Sequence, residues 1–99
     1  MRIEYNHNLA NKEIYRRLQG LFSDLQRQYA GQISDAWSEW NKDHTQMRFR
    51  ASIRGLETTG NVYLMDKQII LEGSLPLMAR LFSGKIEKMI KARLEVLLS

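Results

Sequence analysis

The chain has 99 residues, of which 43% are apolar, and 15 Lys and Arg against 11 Asp and Glu give it a formal net charge of +4. This length predicts a single domain over residues 1–99, with one core and little volume for a large internal ligand cavity. The absence of cysteine excludes disulfides, thiolate nucleophiles and cysteine-based metal sites. We find neither the apolar run of a signal peptide nor the roughly 18 uncharged residues of a transmembrane helix, so we expect a cytoplasmic protein.

The first third of the chain predicts a strand followed by a helix. Residues 2–6 alternate, with Ile3 and Tyr5 on one side, as in a short half-buried strand. The spacing then becomes helical from Asn11 to Tyr29, and Gly31 can take the left-handed conformation that ends such a helix. The apolar face of this predicted helix consists of Ile14, Leu18, Leu21, Phe22, Leu25 and Tyr29.

The middle of the chain predicts antiparallel strands, because the period returns to two after Ile33. If Asp66 and Lys67 form a two-residue hairpin loop, the apolar residues on either side pair on one face and Gly60 lies opposite Gly73. In this register Leu64 faces Ile69 and Val62 faces Leu71. The predicted inner face consists of Phe49, Ile53, Val62, Leu64, Ile69 and Leu71.

The last stretch, "LPLMARLFSGKIEKMIKARLEVLLS", predicts a long helix over 77–98, since Pro76 stops the preceding strand. Its apolar stripe, which we expect to pack onto the sheet, includes Met78, Phe82, Ile86, Ile90 and Leu94. Its other side carries Arg80, Lys85, Lys88, Lys91 and Arg93. The element order predicts an α+β fold: a curved antiparallel sheet of four to five strands with two helices on one face, similar to helix-grip domains.

Residues with catalytic chemistry are sparse in this sequence. His7 and His44 are its two histidines, and their spacing does not form a metal pair. The segment "GLETTG" lacks the Lys and Ser or Thr of a phosphate-binding loop. We therefore expect no catalytic residues, metal, cofactor or enzymatic activity. The rival hypothesis is a small hydrolase or thioesterase that uses Asp or His in a cleft.

A stripe of arginines marks the outer side of the predicted sheet. Arg48, Arg50 and Arg54 share one face of a strand, and Tyr63 lies on the same face of the next strand. Basic residues interleaved with aromatic ones can bind single-stranded nucleic acid. The alternative without a binding role, which we favour, is a solvent-exposed face whose arginines form ion pairs with glutamates on neighbouring strands.

The same outer face also carries apolar residues. Tyr63, Met65 and Ile70, together with one of Trp37 and Trp40, could form an exposed patch. Such patches often mark interfaces between copies of a chain, so these residues are candidates for a homodimer contact. Scattered apolar residues without a function are the alternative.

Several landmarks together resemble the polyhydroxyalkanoic acid system family, small bacterial proteins known from the neighbourhood of polyhydroxyalkanoate synthesis genes. The first is "H-x-L" at His7–Leu9, and the second is a tryptophan followed after a polar turn by an aromatic strand (Trp40, then Phe49). "RG" with a second glycine (Arg54–Gly55, Gly60) and "V-x-L" (Val62–Leu64) follow. The ending "LF-x-G-x-IE-x-x-I-x-x-x-LE-x-LL" carries the resemblance furthest; it consists here of Leu81, Phe82, Gly84, Ile86, Glu87, Ile90, Leu94, Glu95, Leu97 and Leu98.

The resemblance implies a cytoplasmic protein connected with carbon-storage granules, without catalytic residues to carry over. We hypothesise that the last helix packs its apolar stripe onto the sheet while Arg80, Lys85, Lys88 and Lys91 contact an acidic protein or the granule surface. Gly84 would let the helix bend or begin late and leave "LPLMARLF" as an exposed apolar edge, for that contact or for dimerisation. The alternatives are a helix-grip-like domain for an apolar ligand and a nucleic-acid-binding module.

Overall fold

A computed structural model describes residues 1–75 and 77–99, and the side chains of Phe22, Leu77, Met78 and Ala79 lie outside its description. The predictions for Phe22, Pro76 and Met78 therefore lie outside the described residues. The strands are β1 (Arg2–Asn6), β2 (Ile33–Trp40), β3 (Gln46–Ile53), β4 (Leu56–Met65) and β5 (Gln68–Ser74). The α-helices are α1 (Asn11–Leu18), α2 (Leu21–Gln28) and α3 (Ser83–Leu98), and a 3₁₀ helix, Leu77–Phe82, precedes α3. The predicted α+β fold is confirmed.

The five strands form one antiparallel sheet in the order β1-β5-β4-β3-β2. Leu64 pairs with Ile69 across the β4–β5 hairpin, as the two-residue loop predicted. Lys67 of that loop has a φ of 56°, which allows the tight reversal. β1 pairs with β5 and extends the sheet beyond the hairpins. The sheet is therefore a meander to which the N-terminal strand adds an edge.

The inner face of the sheet and the helices enclose the core. Five of the six predicted inner-face residues are buried, and Ile53, at the end of β3, is half-buried. Phe49 lies opposite Gly60, and a Cβ built on that glycine would come within 2.5 Å of the Phe49 Cζ. The aromatic ring thus occupies the space that a side chain at Gly60 would need.

The predicted helix from Asn11 to Tyr29 is two helices, because the chain leaves the helical region at Gly20, where φ is −95° and ψ is 0°. α1 contacts β4 and α3, whereas α2 contacts β2 at the edge of the sheet. The two halves thus pack against different strands of the sheet. The apolar residues Ile14, Leu18, Leu21 and Leu25 are all buried in spite of the break.

The end of α3 is tied to α1 through an arginine. Arg17 donates hydrogen bonds from Nη1 to the carbonyl oxygens of Leu97 at 3.1 Å and Ser99 at 3.2 Å. Arg17 also binds Glu13, and hydrogen bonds from Arg16 and Arg17 lower the pKa of Glu13 to about 2. The carbonyls at a helix C-terminus otherwise lack partners, so this arginine satisfies them and fixes the helix end.

A second contact joins α3 to α2. Arg93 Nη2 donates to Asp24 Oδ2 at 2.8 Å, and both side chains are about three-quarters buried. The Arg93 guanidinium lowers the pKa of Asp24, with a smaller contribution from Arg27. Arg93 was predicted to lie on the outer side of this helix, but it faces α2 instead. Helical spacing alone could not show that an acid on α2 lies within reach.

Candidate basic interface

Four basic side chains are exposed at the start and along the outer side of α3; we call them the basic face: Arg80, Lys85, Lys88 and Lys91. They lie opposite the buried residues Ile86, Leu94 and Leu98, whose contacts with the core orient the helix. Within the part of the chain that the structure describes, none of the four forms an ion pair. Glu95 is the exposed acid on the same side. Four cations against Glu95 and the half-buried Glu87 leave the basic face with a net positive charge.

Apolar side chains are exposed at both ends of the basic face. Leu81 is 84% exposed and Phe82 46% exposed at its start, and Val96 is 65% exposed near its end. We predicted that Phe82 would pack onto the sheet, but α3 begins only at Ser83 and the preceding turn is 3₁₀. Because 3₁₀ and α-helices differ in residues per turn, Phe82 falls outside the buried stripe. Among the described residues of "LPLMARLF", Leu81 and Phe82 form the apolar edge, and Leu75 is buried.

Arg54 adds a further cation to this region. It lies in the β3–β4 turn with a φ of 52°, and its guanidinium carbon is 5.4 Å from the centre of the Phe82 ring. Arg54, Phe82 and Lys85 border a hollow of about 70 Å³. Arg54 was predicted to lie beside Arg48 on the outer sheet face, and that prediction is wrong. The alternation that supported this placement ends with β3 at Ile53, and the left-handed turn directs the next side chain elsewhere.

The outer sheet face carries the other two predicted arginines, each with a local partner. Arg48 Nη2 is 3.0 Å from Glu39 Oε2, and the Arg50 guanidinium carbon is 5.9 Å from the Trp37 ring centre. They border an open depression of about 490 Å³. Acids and bases alternate across this face: among the described strand residues, the strand registers place Arg2, Arg48 and Arg50 there with Glu4, Glu39, Glu57 and Glu72. The charges of the outer sheet face nearly cancel.

The predicted outer apolar patch falls into two separate parts. Tyr63 pairs with Ile70, and Met65, 49% exposed, lies at the same end of the sheet. Trp37, 44% exposed, lies at the other end, and the row that contains Arg48 separates it from Tyr63. The structure thus brings Tyr63, Ile70 and Met65 together without a tryptophan, and the homodimer contact stays a prediction.

The two histidines lie at opposite edges of the sheet. His7 follows β1, where its Nδ1 accepts a hydrogen bond from the Leu9 amide at 3.1 Å, and burial lowers its pKa. His44 lies in the β2–β3 turn and stacks on Tyr15, with ring centres 3.9 Å apart, beside Trp40. This aromatic cluster was not predicted, because its members come from a helix and a turn far apart in sequence. Among the described residues, no three metal-ligating side chains cluster.

These features define a small α+β protein with helices on one sheet face and an exposed basic surface along its last helix. A family model described as "Putative polyhydroxyalkanoic acid system protein" matches residues 1–98. The chain belongs to this family, as the sequence landmarks suggested. Comparison with curated proteins and with solved structures finds no match. Of the helices in the described residues, none has the length and apolar character needed to span a membrane.

Proposed function

We propose that the chain is a non-enzymatic accessory protein of the polyhydroxyalkanoate system that acts by binding the surface of carbon-storage granules, or a protein on them, through its basic face. The family gives the biological context. The observation that carries the contact is the group of four exposed basic residues without ion pairs among the described residues, adjacent to a leucine that is 84% exposed. The corresponding location is the cytoplasm, with part of the protein associated with granules.

The division of labour within α3 supports a binding role for its outer side. Ile86, Leu94 and Leu98 supply the packing that holds the helix on the sheet, and Arg17 and Arg93 fix it to α1 and α2. Reversing an exposed surface charge away from such contacts changes stability little, within about 0.5 kcal/mol. The basic face can therefore evolve or be mutated for binding without loss of the fold.

The absence of catalysis is part of the proposal. Side chains that could act in acid–base chemistry have structural contacts: Asp24 binds Arg93, and His44 stacks on Tyr15. A general base also needs an acid or nucleophile within hydrogen-bond reach, and the two histidines lie at opposite edges of the sheet. These placements favour a binding protein over a small hydrolase or thioesterase.

Binding of an apolar ligand between helices and sheet is less well supported. The apolar cavity there has a volume of about 50 Å³ in the described part of the chain, with Phe49, Leu71 and Ile90 in its wall. Ligand pockets commonly measure about 300–1,000 Å³. A helix-grip-like binding mode would require the helices to move away from the sheet.

Binding of single-stranded nucleic acid is also less well supported. Trp37 and Tyr63 are accessible on the outer sheet face, but Arg48 is paired with Glu39 and glutamates balance the arginines there. Phosphate contacts need cations that acids do not neutralise. The basic face has such cations, but among the described residues Phe82 offers a single exposed ring beside it, which is too little for successive bases to stack on.

Localisation of a labelled copy in granule-forming cells tests the proposal. The wild type should decorate granules, and a variant with all four residues of the basic face reversed should be diffuse. Two matched variants make the test more specific. In the first, Lys85, Lys88 and Lys91 are replaced by Glu. In the second, the same change is made at three exposed lysines elsewhere, Lys12, Lys42 and Lys67. Both change the net charge equally, so loss only in the first supports the contact. Diffuse signal for the wild type itself would refute it.

A further inference from the structure

We infer that the basic face, extended by Arg54, recognises an interface at which anionic headgroups cover an apolar layer, rather than an acidic protein. Leu81 and Phe82 would enter the apolar layer, while Arg54 and Lys85 bind headgroups beside them. This inference deepens the proposed function, because it names the chemistry of the surface that the same residues contact.

The shape of the region favours a broad surface as the partner. Leu81, the most exposed large apolar residue among those described, lies near the end of the 3₁₀ helix and is 84% exposed. Leu81 lines neither of two nearby hollows: one of about 70 Å³ bordered by Phe82 and Lys85, and an open one of about 520 Å³ bordered by Arg80 and Glu87. Protein partners commonly bind through anchors that fill well-packed central pockets. An apolar side chain as exposed as that of Leu81 is instead suited to insertion into a fluid layer.

The residue types point in the same direction. The cations along α3 are Lys85, Lys88 and Lys91, and lysine is depleted in the cores of protein–protein interfaces. Surface-bound amphipathic helices, in contrast, combine lysines with a few large apolar residues that enter the headgroup boundary. Their attraction to the surface requires an anionic layer, because a neutral one offers the lysines no counter-charge.

The order of charges and apolar residues along α3 fits a helix that lies parallel to the plane of the headgroup layer. α3 has 16 residues and so extends about 24 Å. Leu81 precedes it, Val96 lies near its other end, and the three lysines lie between them on the exposed side. The Arg54 guanidinium lies over the Phe82 ring, 5.4 Å from its centre. A cation in that position can remain among headgroups while the ring enters the layer beneath.

Each basic residue near an anionic surface strengthens binding by about 1 kcal/mol, which corresponds to about a fivefold change in affinity. Replacing Lys85, Lys88 and Lys91 by Gln should therefore weaken binding roughly 100-fold. Leu81→Ser should weaken it about tenfold through the loss of apolar burial. High salt should weaken wild-type binding steeply, since screening shortens the reach of the charges.

The experiment is cosedimentation of the purified chain with vesicles of phosphatidylcholine alone and of equal parts phosphatidylcholine and phosphatidylglycerol. We expect binding to the anionic vesicles only, loss in the triple Lys→Gln variant and weakening in Leu81→Ser. The matched control, with Lys12, Lys42 and Lys67 changed to Gln, should bind like the wild type. Thermal unfolding of each variant verifies that it is folded.

Two outcomes would overturn the inference: failure of the wild type to bind anionic vesicles, or binding that Leu81→Ser and the triple variant leave unchanged. Equal binding to soluble poly-glutamate, without dependence on Leu81, would identify an acidic protein as the partner and also overturn it. Granule localisation that needs the basic face, without vesicle binding, would refute this inference and leave the proposed function intact. Vesicle binding without granule localisation would support this inference and refute the proposed function.

Discussion

The contact between Phe49 and Gly60 leads to a quantitative prediction about the sheet. A Cβ added at Gly60 would lie 2.2 Å from the Glu72 carbonyl oxygen and 2.5 Å from the Phe49 Cζ. The first neighbour is backbone of the adjacent strand β5, so relief requires β4 and β5 to move apart. Overpacking of a well-packed core costs about 1–3 kcal/mol. We expect Gly60→Ala to lower the free energy of unfolding by about 3 kcal/mol, at the upper end of that range.

Two other glycines serve as matched controls. At Gly73, which pairs with Gly60, an added Cβ would come no closer than 3.0 Å, to the Cε at the flexible end of Met1. Gly73→Ala should therefore cost about 1 kcal/mol or less. At Gly84, in the first turn of α3, nothing lies within 4 Å. Because alanine favours a helix over glycine, Gly84→Ala should stabilise the protein by up to about 1 kcal/mol.

Chemical denaturation followed by circular dichroism measures all three variants. The expected order of stability is Gly84→Ala, wild type, Gly73→Ala and then Gly60→Ala. Adding Phe49→Leu to Gly60→Ala should recover part of the loss, and a double-mutant cycle would measure the coupling between ring and glycine. A Gly60→Ala variant as stable as the wild type would refute the close approach of the strands and ring at this position.

Three further predictions concern the helices and one turn. Leu94 is 2% exposed, so Leu94→Ala should lower the free energy of unfolding by about 2–5 kcal/mol. Val96 is 65% exposed, so Val96→Ala should change it by less than about 0.5 kcal/mol. Equal effects of the two substitutions would contradict the orientation of α3. The pKa of Asp24 is lower in the folded chain than its ordinary value of 3.8, so its pair with Arg93 stabilises the fold above that pH and the effect disappears as the pH falls below it. Asp24→Asn should accordingly lower Tm at pH 6 but much less at pH 2.5, and a pH-independent difference would contradict the ion pair. Asn41 Oδ1 accepts two backbone amides in the β2–β3 turn, so Asn41→Ala should cost about 1–2 kcal/mol in denaturation, and no loss would exclude this role.

The sequence predicted those parts of the fold in which neighbouring residues determine the answer. The β4–β5 register followed from its two-residue loop, because only one alignment places Val62 opposite Leu71 on the apolar face. The pairing of β1 with β5 could not be predicted, since a short edge strand carries little information about its partner. The break at Gly20 was not predicted either, because the apolar spacing continues through it from α1 into α2.

Three residues were misplaced for related reasons. Arg54, Phe82 and Arg93 each lie where a periodic pattern ends or where another element approaches. Arg54 follows the last residue of β3, and Phe82 precedes the first residue of α3, so neither continues the period of its neighbours. Arg93 continues the helical period but turns toward Asp24. The lysines in the middle of α3 were placed correctly on its exposed side, because a regular helix surrounds them.

The proposed contact between the apolar edge that precedes α3 and the granule can be tested directly with a fluorophore. The chain has no cysteine, so Leu81→Cys and Lys42→Cys each provide a single labelling site, one at the apolar edge and one in the exposed β2–β3 turn. On addition of isolated granules, an environment-sensitive dye at residue 81 should shift to shorter wavelength, because it enters a less polar layer, while the dye at residue 42 should stay unchanged. Bound protein with no shift at residue 81, or with equal shifts at both sites, would contradict the account.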